Sequence, residues 1–214
     1  MTRRLVLLRH GRTTWNDSGR AQGHADVGLD EVGHVQAADV APYLAAAEPV
    51  ALWTSDLTRA RETCAYVERA TGLSARVDRR LREFDVGARQ GMTSAQFEAA
   101  FPEAFASWVS GSETPRVPGA EVPSDVAARI VPALDECLGG LTDGQTGVVV
   151  THGAALKVGV VGLLGWPLAQ TAALRGVDNC AWVSLVAAAP TGGTVRLERY
   201  NQSVRPVDGG RVDL

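Results

Sequence analysis

The sequence predicts a three-layer α/β domain on a mostly parallel sheet. Short continuous apolar runs, such as LVLL at 5–8 and VVV at 148–150, read as strands buried on both faces. They alternate with segments of helical spacing, the order that builds a sheet covered by helices on each side. No repeat, low-complexity stretch or linker separates two compositions. The 214 residues, 1–214, therefore read as one domain.

The elements follow in order. RRLVLL (3–8) is a buried strand, and 9–27, with its Gly, Asn, Asp and Ser, is a loop. LDEVGHVQAADVAPYLAA (29–46) is helical, with Asp30 as its cap and Pro42 as a late kink or boundary. VALWTS (50–55) is the second strand. Asp56 opens a helix to about Ala70, closed by Gly72. ARVDRRL (75–81) is a short strand leading to a loop with Glu83. Residues 94–110 are helical, broken at Pro102. The Pro/Gly stretch 111–123 is a long loop, of the kind that serves as a lid or binding loop. A helix at 124–139, a strand within GVVVTHG (147–153) and a helix at 153–164, stopped by Gly165 and Pro167, come next. CAWVSLVAAA and TVRLERY close the fold as two strands about the turn signal TGG.

Composition excludes several classes. A net charge of −3 and a pI near 5.8 argue against a nucleic-acid partner or a membrane surface, both of which call for a basic patch. No apolar run is long enough for a bilayer and no signal-peptide pattern is present, so a cytoplasmic location is expected. Cys64, Cys137 and Cys180 are scattered, with neither a disulfide framework nor zinc spacing. His24 and His34 stand apart in a loop and a helix, so no metal and no cofactor are expected. The closing strand TVRLERY is a candidate sheet edge on which a second copy could pair as a homodimer.

Two strands end alike, in LLRHG and VVTHG. Each carries a His followed by Gly at its carboxyl end, where ligands bind in open α/β sheets. If the strands are neighbours, His10 and His152 face one small volume. Arg9 adds a fixed positive charge. Arg59, early in a helix whose side chains lean towards its N-terminus, adds another. Helix N-termini also favour anions. A lone strand-end His is ordinarily structural and a strand-end Arg ordinarily solvated. Here LRHGxT, SDLxRAxxT, LREFxxG and a strand ending in THG occur together and in order. That set reads as a pocket for one compact dianion, and phosphate suits it because Arg matches its oxygens bidentately.

This ordered set resembles the histidine phosphatase superfamily, the phosphoglycerate-mutase-like fold. LRHGxT runs from Leu8 to Thr13; Asn16, Gln22-Gly23, Leu29 and Gly33 resemble the next block; TSDLTRARET, LREFDVGARQG and VVVTHG resemble the rest. The resemblance implies a six-stranded mixed sheet with one antiparallel strand and the two His-bearing strands side by side. It implies that His10 is the nucleophile, that Arg9, Arg59 and His152 hold the phosphoryl oxygens, and that Glu83 is the general acid. Asn16, Gln22 and Gly23 resemble further phosphate contacts. The chain departs from the pattern at GARQG (87–91), where Arg89 stands at a position commonly aromatic in the family's phosphatases and the mutases' Tyr-Gly pair is missing. PGAEV (118–122) lacks the Ser of the usual Pro-x-Gly-Glu-Ser segment. GVDNCAWVSL and YNQSV resemble the actinobacterial glucosyl-3-phosphoglycerate phosphatase group. The reading is a metal-independent phosphomonoesterase acting on a small phosphorylated metabolite through a phosphohistidine. The alternatives are a phosphoglycerate mutase and a non-catalytic phospho-ligand binder.

Overall fold

The computed structural model describes residues 2–110, 117–188 and 194–204. Six strands form one sheet: β1 (Thr2–Arg9), β2 (Ala51–Thr54), β3 (Arg76–Val77), β4 (Thr146–Thr151), β5 (Trp182–Ala188) and β6 (Val195–Gln202). Their order is β3-β2-β4-β1-β5-β6. Strands β1 to β4 pair in parallel, while β5 is antiparallel to both of its neighbours. The expected mixed sheet with one antiparallel strand is therefore what the chain forms. The candidate edge strand, β6, does close one end of the sheet.

The long helices are α2 (Glu31–Ala45), α3 (Thr58–Thr71), α6 (Pro123–Gly139) and α7 (Gly153–Leu163); the shorter ones are α1 (Thr14–Asp17), α4 (Ser94–Ala100) and α5 (Pro102–Ser110). The apolar run of β1 explains the layering. Leu5 and Leu7 pack with Ile130, Leu134 and Leu156 of α6 and α7. Val6 and Leu8 pack with Val40, Leu44, Ala60 and Val67 of α2 and α3. Successive side chains of a strand alternate between faces, so a strand covered on both sides must be apolar throughout. Burying each such leucine is worth about 1.5–3 kcal/mol. No helix among the described residues is long and apolar enough to cross a membrane.

Several local expectations hold. The Asp30 carboxylate caps α2 by accepting from Gly33 N at 2.8 Å, and Gly72, at φ 73°, closes α3. Pro42 breaks nothing; it sits in the last turn of α2, and its carbonyl still accepts from Ala46 N at 2.9 Å. Other boundaries moved. Asp56 does not cap α3, which starts at Thr58 after Leu57. The Asp56 carboxylate is taken by the Arg82 guanidinium at 2.8 and 2.6 Å. The 9–27 loop contains the single turn α1, held by a reciprocal cap between Thr13 and Asn16. A 3-10 stretch, Leu168–Ala173, carried no recognised signal. The TGG turn and residues 111–116 of the long loop lie outside the described residues.

Two glycines bring the loop after β1 against the start of α2. A Cβ on Gly33 would stand 2.0 Å from the Arg12 carbonyl oxygen, and one on Gly11 2.6 Å from that of Gly33. Only bare backbone fits there. The contact sets the path of the segment that follows His10.

Candidate active site

Sheet register builds the site. Arg9 pairs with Thr151 across β1 and β4, so His10 and His152 are the next residues on neighbouring parallel strands. Their ring centroids are 5.2 Å apart. The His10 backbone N–H donates to the Thr151 carbonyl at 3.0 Å, anchoring the residue to the ladder. His10 Nδ1 lies 2.7 Å from the Gly11 carbonyl oxygen. A carbonyl only accepts, so Nδ1 carries the proton and Nε2 keeps its lone pair. Burial, and then the charges of Arg9 and Arg59, hold the His10 pKa well below its ordinary value. The imidazole is neutral and nucleophilic at neutral pH.

His152, beside His10, is held by two side chains. Its Nδ1 accepts from Arg59 Nε at 3.1 Å, so the proton sits on Nε2, which faces Ser55 Oγ at 2.9 Å. Both ring nitrogens are engaged, and the residue is fully buried. Burial first, then Arg59, His10 and Arg9, lower its pKa well below the ordinary range.

The arginines supply the positive field. Arg59 is fully buried, donating from Nη1 to Ala25 O and from Nη2 to Gly23 O, each at 2.8 Å. Desolvation lowers its pKa to about 10, which leaves it cationic at neutral pH. Arg9 donates from Nη1 to Val177 O at 2.7 Å, while its buried Nε has no partner among the described residues. Gly153, the first residue of α7, lies so close that a Cβ there would stand 3.2 Å from that Nε.

Glu83 joins this set at the head of α7. Its Oε1 accepts from Phe84 N at 3.0 Å and Ala155 N at 2.8 Å, and its Oε2 accepts from Ala154 N at 3.0 Å. A surface pairing with Arg79 or Arg82 is what an isolated glutamate here would suggest, but both arginines turn to Asp56. His24 Nε2 and Arg129 Nη2 each stand 2.8 Å from the Glu83 carbonyl and fix its backbone.

Arg9, His10, Asn16, Gln22, Gly23, Arg59 and Glu83 all line one cavity of about 790 Å³. Asn16 Oδ1 accepts from Thr13 N, Thr13 Oγ1 and Asn179 Nδ2, which leaves its amide nitrogen to the cavity. Gln22 Oε1 is buried without a partner among the described residues. Gly23 adopts φ 53°, and a Cβ there would meet Val86 at 2.5 Å. Among the described residues no group of three or more His, Cys, Asp or Glu is placed to hold a metal ion.

Three supports lie within motifs the sequence showed, Ser55 and Thr63 in SDLxRAxxT and Asn179 in GVDNCAWVSL, but their roles were not read there. Thr63 Oγ1 accepts from Gly11 N at 2.9 Å, and Ser55 faces His152. Asn179 Nδ2 donates to the His10 carbonyl at 3.0 Å, beside Cys180, whose φ of 54° lets its N–H reach the carbonyls of Arg9 and His10. The spacing marks the residues but not their partners, since each acts on a distant segment.

The two depressed imidazoles set an acid dependence. The unfolded chain takes up protons near pH 6.5, whereas the folded chain takes them up only at lower pH. Stability is therefore complete above about 6.5 and falls as pH drops below it, each histidine contributing a slope of up to about 1.4 kcal/mol per pH unit. Urea unfolding between pH 7 and 5 is expected to show that loss, with a shallower slope in His152→Ala. An unchanged slope in the variant contradicts a neutral buried His152.

Residues 5–203 match the description of the histidine phosphatase superfamily (branch 1). The chain is 40% identical over 190 residues to a glucosyl-3-phosphoglycerate phosphatase of Mycobacterium tuberculosis, covering 86% of this chain and 85% of that one. It is 35% identical over 177 residues to a protein of Erwinia tasmaniensis named "Probable phosphoglycerate mutase GpmB", covering 83% of this chain and 81% of that one. The solved structure of mycobacterial glucosyl-3-phosphoglycerate phosphatase with VO3 superposes with a TM-score of 0.87 at 37% identity, covering 94% of this chain and 100% of that one. From residue 5 to residue 203, in sequence and in fold, this chain belongs to the histidine phosphatase superfamily and is a phosphatase.

Proposed function

We propose that this chain hydrolyses a small phosphomonoester through a phosphohistidine on His10, with glucosyl-3-phosphoglycerate the favoured substrate and sugar phosphates next. The observation that carries the mechanism is the neutral His10, its proton held on Nδ1 by Gly11, in one cavity with Arg9, Arg59 and Glu83. In the first step His10 Nε2 forms a bond to phosphorus and the ester P–O bond breaks. The Glu83 carboxyl gives its proton to the departing alkoxide. In the second step water attacks phosphorus, Glu83 takes the water's proton, and the P–N bond breaks. Charge on the phosphoryl oxygens is met by Arg9 and Arg59, so catalysis is chiefly positioning and electrostatics. His152 serves by orienting Arg59, whose Nε it receives. The favoured substrate rests on the 40% relative and the vanadate-bound structure, not on a contact within this chain.

A phosphoglycerate mutase would share the first step. It must then exclude water and return the phosphoryl group to a bound intermediate. GARQG at 87–91 lacks the mutases' Tyr-Gly pair. A binding protein would need the cations but has no use for a positioned acid such as Glu83. Stoichiometric phosphate release is expected from glucosyl-3-phosphoglycerate and 3-phosphoglycerate without a bisphosphoglycerate primer, unaffected by EDTA and with little 2-phosphoglycerate formed. Primer-dependent isomerisation outpacing phosphate release assigns the chain to the mutases instead.

A further inference from the structure

Arg9 enters the cavity with little to steer it. Among the described residues its guanidinium has one hydrogen-bond partner, the Val177 carbonyl, which accepts from Nη1 at 2.7 Å. Burial lowers the Arg9 pKa, and the carboxylates of Glu83 and then Asp178 oppose that loss of charge. Residues 175–178 belong to no helix or strand. A carbonyl in such a segment keeps its aim only if neighbouring groups hold it.

Two anchors do so. Asn179 and Cys180 pin the chain to the end of β1: Asn179 Nδ2 and the Cys180 N–H both donate to the His10 carbonyl, at 3.0 and 3.3 Å. The other anchor comes from β6, at the edge of the sheet. Asn201 Oδ1 accepts from Asp178 N, and Asn201 Nδ2 donates to Asp178 Oδ2, each at 2.8 Å. One amide thus grips both the backbone and the side chain of Asp178. Beside it, Tyr200 OH donates to the Arg175 carbonyl. The edge strand is irregular at this point. Between the Trp182–Gln202 and Ser184–Arg199 pairs, β5 advances two residues while β6 advances three. The extra residue makes a bulge, a device that re-aims side chains. Asn201 stands within it at φ 51°, a left-handed conformation that Asn tolerates better than most residues.

We propose that Asn201 is a positioning residue for Arg9: its amide locks Asp178, and so holds the adjoining Val177 carbonyl that aims the Arg9 guanidinium at the phosphoryl group. The inference rests on the phosphohistidine reading, in which Arg9 meets phosphoryl charge. Asn201 acts at two removes, through Asp178 to Val177 and through Val177 to Arg9. Displacing a catalytic group by about 1 Å through such a chain can cost up to about 10²-fold in rate. The same lock keeps the Asp178 carboxylate in place as part of the counter-charge of Arg9. It also gives the YNQSV segment (200–204), which lies far from the cradle in sequence, a part in the reaction.

Asn201→Gly tests the lock, because glycine adopts positive φ freely and the backbone path is kept. kcat/KM is expected to fall about tenfold for p-nitrophenyl phosphate and for 3-phosphoglycerate alike, and the Ki of orthovanadate to rise at least about fivefold. Equal loss on both substrates separates the effect from that of Glu83, whose removal spares aryl phosphates. A merely destabilised chain behaves otherwise: fewer folded molecules lower kcat and leave KM and Ki unmoved. A second pair of variants covers that case. Asn201→Asp sets two carboxylates face to face and is expected to lose about tenfold or more in kcat/KM. Adding Asp178→Asn returns a donor to the pair and is expected to bring kcat/KM to within about threefold of the wild type. An Asn201→Gly chain within about twofold of the wild type, a loss carried by kcat alone, or a double variant no better than Asn201→Asp overturns the role of Asn201. A wild-type chain that hydrolyses neither phosphate overturns the phosphohistidine reading, and this role with it.

Discussion

His10→Ala is expected to remove turnover by roughly 10⁴-fold or more, since loss of a covalent nucleophile leaves only binding and electrostatics. The fold should survive. The backbone N–H of His10, not its ring, joins the sheet ladder, and the ring sits beyond the end of β1 rather than in the apolar layers. Rapid quench of the wild-type chain with labelled substrate should trap a phosphoenzyme that is acid-labile and base-stable, as a P–N bond is. The variant should trap none. The tautomer sharpens the expectation. With Nδ1 bound to the Gly11 carbonyl, the phosphoryl group must go to Nε2, and phosphorus NMR of the trapped species distinguishes the two isomers. An acid-stable phosphoenzyme on Ser or Thr sinks the mechanism, and a phosphohistidine at Nδ1 sinks the assigned tautomer.

Glu83→Gln is expected to cost alkyl phosphates roughly 10²–10⁴ in kcat, the usual worth of a general acid, and aryl phosphates such as p-nitrophenyl phosphate far less. A phenolate leaves without a proton, whereas an alkoxide does not. Gln can still occupy the site, but its amide must accept with one oxygen where the carboxylate uses two towards Phe84, Ala154 and Ala155. The substrate comparison separates acid catalysis from this structural duty. Damage to the head of α7 harms both substrate types alike, and equal losses would reassign Glu83 to positioning.

Much of this was legible because the features are local. The apolar run at 5–8 reads as a strand covered on both faces, and Asp30, three residues before Gly33, reads as a helix cap; both are what the chain forms. The cradle was legible as ordered blocks, since His10, Arg59, Glu83 and His152 each sit in a distinctive neighbourhood. What escaped depends on pairing across distance. Asp56 has the sequence signature of an N-cap, yet Arg82 outbids the helix for its carboxylate. Asn179 reaches Asn16 over 163 positions, and no periodicity encodes such a meeting. Likewise, the ring nitrogens of His152 are claimed by Arg59 and Ser55, so its motif located the residue but not its contacts.

The ladder between β1 and β4 ties activity to assembly. The two histidines are adjacent only because Arg9 stands opposite Thr151. A slip of one residue would displace one ring from the other by about 3.3 Å and turn every apolar side chain of the strand to the opposite layer. Such a molecule loses its core and its nucleophile's surroundings together. A one-residue register isomer that is well folded yet inactive is therefore excluded by the same pleat that builds the core.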